Sequence, residues 1–584
     1  MADKRFLLLP SAAPGNGTGH IRRAFQLAAD LGERSTVGIF IPEHLYRPEF
    51  NAFAEEAGTD PELVIRDENE LRASSWDFTV WDRRATSLEE YRRWSGLGTP
   101  AGIDEGGEAR GFFPFLIDTF PLPGKLGPAN VSDPAFLPQP DKRRIPPESF
   151  DTILISFGGE DPARLTEKVV LWLLDAGRVP PEKITVVLGP LFGRRVVPDG
   201  VRILQSPAKL SELLWQYDLV CTSFGLTAYE AAAAGTGVLL FNPSRYHREL
   251  SLLAGFTEVG IGKVRTKKME ECLKNPPEHI PLLKGIVPEH PKKLADFLDS
   301  LSVPEVSRCP VCEENDPITV FREPSRTFFR CRVCGTIYQM DYTHTGDSYT
   351  EEYFFSEYRN QYGRTYLEDF DTIRGLARSR IQHLRGLKKT GSSRLLDVGC
   401  AYGPFLKEAA EAGYQVTGID PAESAVKYVR ETLGYAAHCL QFEDYEPDPE
   451  GYDLITMWYV IEHFSSTAEA LRKAFGLLKP GGILALATPN YGGISGRRDL
   501  RSFLKNSPRD HHIIWSPDAA GKAVRRYGFR PEKTVVTGHH PERFFKSGLS
   551  GSGSVYKTLR LFSGIAGLGD TFEIYARKTG ATNE

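Results

Sequence analysis

Three groups of residues could do chemistry. The run Arg394-Leu-Leu-Asp-Val-Gly-Cys-Ala-Tyr-Gly-Pro-Phe405 puts Asp397 at the end of an apolar strand, then Gly399 and Gly403 in a tight turn before a helix. After Gly413 a second strand, Tyr414 to Ile419, ends on Asp420. A strand–glycine loop–helix–strand–acid unit is the arrangement that binds a nucleoside on a parallel sheet. The second group is Cys309-Pro-Val-Cys312 with Cys331-Arg-Val-Cys334 and Gly335. Each pair forms a knuckle that turns its thiolates toward one point, and Gly335 suits the turn after the second. Together they predict a closed, tetrahedral four-sulfur zinc site that holds structure and leaves no position for water. The third group is Pro14-Gly-Asn-Gly-Thr-Gly-His20, a further glycine loop between a strand and a helix. Glycines there let backbone N–H groups approach a ligand, and the helix N-terminus favours negative charge.

These groups need elements to hold them. Arg5 to Leu9 reads as a buried strand, Ile21 to Leu31 as a helix with one apolar face, and Thr36 to Ile41 as the next strand. Further strands end on acids at Asp82 and Asp118. With Asp104, these read as ordinary strand-end or loop acids. The polar, proline-rich stretch Pro138 to Pro147 reads as a linker. A second strand–helix series begins at Thr152 and continues through Phe241, so two α/β halves with a cleft between them are expected. A short helix near Leu294 to Leu301 precedes the cysteine pairs. After them comes an aromatic stretch with Tyr349, Tyr353, Phe354, Phe355, Tyr358, Tyr362 and Tyr366, read as core or lid packing. Close to the end, a glycine- and serine-rich excursion, Gly548 to Gly569, separates the last two strands.

At 584 residues the chain is too long for one core, so roughly three or four domains are expected. The expected boundaries are 1–145 and 146–300 for the two α/β halves, 305–345 for the zinc segment and 346–584 for the last domain. The net charge of −5 without a basic block argues against nucleic acid as a partner. The apolar run at the N-terminus is too short for a secretion signal, and no stretch is long enough to span a bilayer. A cytoplasmic location is the natural expectation.

Gly17-Thr-Gly-His20, Ser156-Phe-Gly-Gly159 with Asp161-Pro162, and Phe224-Gly-Leu-Thr227 with Glu230 resemble the nucleotide-sugar hydrolase of pseudaminic acid synthesis. They also resemble the related GT-B glycosyltransferase that makes lipid II. The resemblance covers about residues 5 to 260. It implies a GT-B pair of Rossmann-type halves with Gly17, Gly19, Gly158, Gly159, Gly225 and Thr227 around a nucleotide-sugar. It further implies Glu230 on the ribose hydroxyls and His20 as base at the anomeric carbon. Tyr246-His247 stands where that family carries a glutamine motif.

Downstream, Glu443-Asp444, Tyr452 to Glu462-His463, Leu478-Lys-Pro-Gly-Gly482 and Thr488-Pro-Asn490 complete the series opened at Arg394. That series resembles class I S-adenosylmethionine (SAM)-dependent methyltransferases. With the cysteine pairs, it resembles a bacterial subgroup that includes sugar and polysaccharide-pathway methyltransferases. The resemblance implies SAM as cofactor. Asp397, Gly399, Ala401 and Gly403 would lie by its amino-acid end, Asp420 on the ribose, and Phe442 with Asp444 at the adenine. It places Glu462-His463 beside the methyl, His463 as base and Glu462 as its orienter, with Asp510-His511-His512 closing the acceptor pocket. The combined expectation is a fused protein: a GT-B-like nucleotide-sugar unit and a zinc-bearing methyltransferase acting on a sugar or glycan. A non-catalytic sugar-binding first half, or a scaffold with vestigial pockets, are the alternatives.

Overall fold

The computed structural model describes the chain except residues 1–2, 14–17, 177–178, 190, 193–196, 208, 275–289, 344–358, 360–362, 388–392, 447–448, 545–553 and 580–584. Gly17 and all of the aromatic stretch but Tyr366 therefore lie outside the described residues. The chain divides into two compact units, Met1–Val303 and Pro304–Glu584. Among the described residues no helix is long and apolar enough to cross a membrane.

The first unit holds two parallel sheets. In the first, β1 (Arg5–Pro10), β2 (Thr36–Phe40), β3 (Val64–Ile65), β4 (Phe78–Asp82), β5 (Thr99–Ile103), β6 (Phe115–Asp118) and β7 (Val131–Ser132) run in the order β3-β2-β1-β4-β5-β6-β7. Phe6 to Leu9 are almost wholly buried, as expected of a strand covered on both faces. The helix Gly19–Gly32 buries Ile21, Ala24, Phe25, Leu27, Ala28 and Leu31, a stripe at helical spacing. The second sheet comprises β8 (Ile153–Ile155), β9 (Ile184–Leu188), β10 (Arg202–Gln205), β11 (Leu219–Thr222), β12 (Gly237–Asn242) and β13 (Thr257–Ile261). Its order is β10-β9-β8-β11-β12-β13. The order reverses between β1 and β4 in one sheet and between β8 and β11 in the other. The crevice beyond the carboxyl ends of those strands is where such sheets bind ligands.

The second unit opens with a meander, β14 (Pro317–Glu323), β15 (Arg326–Cys331) and β16 (Ile337–Asp341). The helix Phe370–Leu387 leads into β17 (Arg394–Val398), β18 (Gln415–Asp420), β19 (Ala436–Cys439), β20 (Tyr452–Trp458) and β21 (Leu478–Pro489). The short β22 (Ile513–Ile514) leaves that series and pairs antiparallel with β16, Ile337 opposite Ile514 and Tyr338 opposite Ile513. β23 (Phe529–Thr537) and β24 (Thr571–Lys578) complete the main sheet in the order β19-β18-β17-β20-β21-β24-β23. β24 is antiparallel to both of its neighbours. The excursion between β23 and β24 contains a helix, Ser554–Ile565. That helix mixes Val555, Leu559, Leu561, Phe562 and Ile565 with Lys557 and Arg560.

Candidate active site

In the second unit the site lies at the carboxyl ends of β17, β18 and β20. Gly399 and Cys400 donate backbone N–H groups to Ile419 O at 2.8 and 3.0 Å, tying the glycine loop to β18. Gly399 has φ +70, and a Cβ there would stand 2.3 Å from Val460 Cγ2, so only glycine fits. Ala401 also takes a left-handed conformation, φ +46, where its methyl group is tolerated at a cost in strain. Gly403, φ +77, turns the chain into the helix Pro404–Glu411. The two glycines thus let the loop turn tightly against Val460, Val429 and Leu433.

Asp420 is buried at the end of β18. Its Oδ2 accepts from Ala401 N at 2.8 Å and its Oδ1 from Ala422 N at 2.9 Å. A carboxylate has about four acceptor positions, so hydroxyls can still bind. Burial pushes its pKa up to about 6, against those two N–H bonds. Asp397 is also buried, accepts from Thr456 Oγ1 at 2.6 Å, and is pushed up by burial to about 7. Phe442 is buried against Phe464, while Asp444, two residues on in the same short turn, is exposed.

Past β20, Tyr459 takes φ +61 and the turn Ile461–His463 follows. His463 Nδ1 lies 3.1 Å from Asp510 Oδ2. Glu462 does not orient the ring. Its side chain is fully buried, and neither oxygen makes an aligned hydrogen bond among the described residues. The Thr488 hydroxyl beside it is unaligned as well. Burial pushes Glu462 up to about 7. Burial also opposes charge on His463, but the bond to Asp510 and the nearby Glu462 outweigh it, so its pKa lies above the ordinary value. His511 packs edge-on to His463, ring centroids 4.7 Å apart, and burial lowers its pKa to about 3. One atom each of Glu462, His463 and His511 fall within 4.8 Å of one another. His512 Nε2 reaches Glu305 Oε2 at 3.4 Å, and its backbone N donates to Glu462 O at 2.7 Å.

The four cysteines are buried and adjacent. Cys309 Sγ lies 3.5 Å from Cys334 Sγ, and Cys312 Sγ lies 3.4 Å from Cys331 Sγ. All four sulfurs fall within 4.8 Å of one another. A tetrahedral zinc with bonds of about 2.3 Å needs sulfurs about 3.8 Å apart, so the set fits that ion. The residue after each pair, Glu313 or Gly335, has positive φ, at +63 and +80. The same segment supports the histidine loop. Besides the β16–β22 pairing, Gln339 N donates to His512 O at 3.2 Å, Gln339 Nε2 bonds Arg509 O, and Trp515 Nε1 donates to Thr336 Oγ1 at 2.9 Å.

In the first unit, loops of the two sheets meet. A Cβ on Gly159 would stand 2.4 Å from Thr18 Cγ2, and one on Gly19 3.7 Å from Leu226 Cδ1. Gly158, φ +77, and Gly225, φ +154, shape the loops after β8 and β11, and Thr227 lies in the first turn of the helix Leu226–Ala233. Glu230 lies one turn further on. Burial pushes it up to about 7, with Arg22 and Glu56 of the first sheet's half in charge range. Asp82 is not an ordinary strand-end acid: His20 Nδ1 lies 2.7 Å from its Oδ1, and Arg23 Nε donates to its Oδ2 at 2.6 Å. Asp104 accepts from Arg23 and from the backbone of Thr119 and Phe120. Asp118 pairs with Arg110.

The parallel sheet with its antiparallel β24, the glycine loop and the acid ending β18 define a class I methyltransferase domain. A family model described as "Methyltransferase domain" matches residues 370–534. The chain is 30% identical over 186 residues to a ubiquinone biosynthesis O-methyltransferase of Neisseria meningitidis, covering 30% of this chain and 78% of that protein. It is 23% identical over 185 residues to one of Nitrosospira multiformis, covering 30% and 77%. The crystal structure of a SAM-dependent methyltransferase from Archaeoglobus fulgidus superposes with a TM-score of 0.28 at 18% identity, over 38% of this chain and all of that one. Through its second unit the chain belongs to the SAM-dependent methyltransferases, and it is an enzyme of that class.

Proposed function

We propose that the protein methylates a hydroxyl of a sugar or glycan intermediate, and that its first unit binds and turns over the nucleotide-activated sugar. The observation that carries the sugar assignment is the meeting of three ligand-type loops in the first unit: Thr18 to His20, Gly158-Gly159, and Gly225 to Glu230. In the second unit Asp397, Gly399, Ala401, Gly403, Asp420, Phe442 and Asp444 hold SAM. Bound there, SAM supplies an electrophilic methyl on a sulfonium. His463, braced by Asp510, takes the proton of the acceptor hydroxyl, since an alcohol attacks poorly until a base accepts it. Glu462 and His511 wall the acceptor pocket. Transfer to oxygen is also the reaction named for the curated relatives.

Thermal-shift screening tests the sugar assignment. A ligand that binds only the folded state raises Tm. A UDP- or GDP-sugar is expected to do so, and Glu230→Ala to remove most of the shift. A panel without effect on Tm would overturn the nucleotide-sugar reading.

We assign structural zinc to Cys309, Cys312, Cys331 and Cys334. Metal analysis is expected to return about one zinc per chain. Cys334→Ser is expected to lower Tm and, through β16 and β22, to slow methyl transfer more than it weakens SAM binding. Equal stability with and without chelator would contradict this assignment.

A further inference from the structure

We infer that Asp82 is the positioning residue of a second acid–base centre, fixing the His20 ring so that Nε2 accepts a proton in the first unit. This rests on the nucleotide-sugar reading of that unit. The network occupies the carboxyl edge of the first sheet where its strand order reverses. His20 is the second residue of the helix after β1, Asp82 ends β4, Asp104 follows β5 and Thr119 follows β6. Ligands bind at such an edge.

The bonding is more than a neutralised ion pair. Arg23 already satisfies Asp82 with two donors, Nε at 2.6 Å and Nη2, and reaches Asp104 Oδ2 with Nη1 at 2.9 Å. His20 adds a third donor to the same carboxylate, at 2.7 Å. Two carboxylates against one guanidinium leave one negative charge facing the ring. Both carboxylates are buried, whereas the His20 side chain is 20% exposed. With Nδ1 committed to Asp82, the ring's other nitrogen lies on the opposite side, as an orienting carboxylate requires of a base. Thr18, two residues before His20, packs on Gly159 of the second sheet's half, so the ring stands where the two carboxyl edges meet.

The chemistry suits attack on an activated sugar. The proton of water or of an acceptor hydroxyl passes to Nε2 as its oxygen bonds the anomeric carbon. The carbon–oxygen bond to the diphosphate breaks, and the leaving nucleoside diphosphate takes the electron pair. The imidazolium, stabilised by Asp82, then returns its proton to solvent. This makes the first unit a reaction centre rather than a passive binding module.

Two measurements on the full chain test it. The first is nitrogen-15 NMR of labelled histidine rings, with the His20 signals identified by their loss in His20→Gln. Neutral His20 is expected as the Nδ1–H tautomer. In Asp82→Asn, Arg23 claims the one amide oxygen, the NH2 turns to the ring, and the proton is expected to move to Nε2. Asp82→Glu, which keeps the charge, is expected to restore Nδ1–H. A wild-type Nε2–H tautomer, or an unchanged spectrum in Asp82→Asn, would overturn the proposal. The second is nucleoside diphosphate release from UDP- and GDP-sugars. Asp82→Asn is expected to lower kcat by about 100-fold with KM within about threefold. The double variant with His20→Gln should be no slower than His20→Gln alone, because the pair acts as one unit. Turnover at the wild-type rate in Asp82→Asn would also overturn it. If no sugar is turned over but the tautomers behave as expected, the dyad stands and the nucleotide-sugar reading fails.

Discussion

His463→Gln is expected to lower methyl transfer by about 10²- to 10⁴-fold in kcat, the range supplied by a positioned general base. SAM affinity should change little, because the ring lies past β20 while the cofactor loop follows β17. Asp510→Asn tests the support. Asp510 and Glu462 both favour the charged ring, against burial, so His463 titrates above the ordinary imidazole value. The base works only when deprotonated, so kcat rises with pH through that titration. Removing the Asp510 charge lowers the pKa of the ring. The pH–rate inflection of Asp510→Asn should therefore move to lower pH, with a smaller maximal rate. His511 is a much weaker base, since burial lowers its pKa to about 3 and Asp510 is bonded to His463 instead. An unshifted inflection would assign the proton to another group.

Asp420→Ala is expected to weaken SAM binding at least about 100-fold, equivalent to about 2.7 kcal/mol. Two losses add. The carboxylate is the acceptor proposed for the ribose hydroxyls, and bonds to a charged acceptor are worth about 1.5–3 kcal/mol each. It also bonds Ala401 N and so holds the loop in its left-handed turn. Asp420→Asn keeps one acceptor oxygen and should lose about tenfold. Burial raises the pKa of this acid to about 6, so the proton competes with the ligand from that value downward. SAM affinity should therefore fall as pH drops through about 6, and calorimetry across that range reads the effect directly.

What was legible in the sequence was local. Asp397 to Gly403, Asp420 and the paired cysteines announce their chemistry within a few residues, because a tight turn or a metal knuckle is built from neighbours. The strand series of the second unit was legible for the same reason, each strand being a short apolar run. What was hidden depends on chain reversal. Asp510, not Glu462, bonds His463, and it arrives on the segment that β22 ties to β16. Nothing in the spacing of the two residues signals that. Asp82 looked like any acid ending a strand, and only the parallel order of β1 beside β4 brings it to His20 and Arg23. The four cysteines read as a segment of their own, yet β16, which follows the second pair, is paired with β22 beside the histidine loop. The zinc proposed there would carry no reaction yet help set the geometry of one.

The most direct test is incubation of the enzyme with trideuteromethyl SAM and a pool of nucleotide-sugars, read by mass spectrometry with fragmentation. One sugar is expected to gain the intact trideuteromethyl group on oxygen, and His463→Gln to suppress the gain. Label on nitrogen or carbon, or on no sugar at all, would contradict methylation of a sugar hydroxyl.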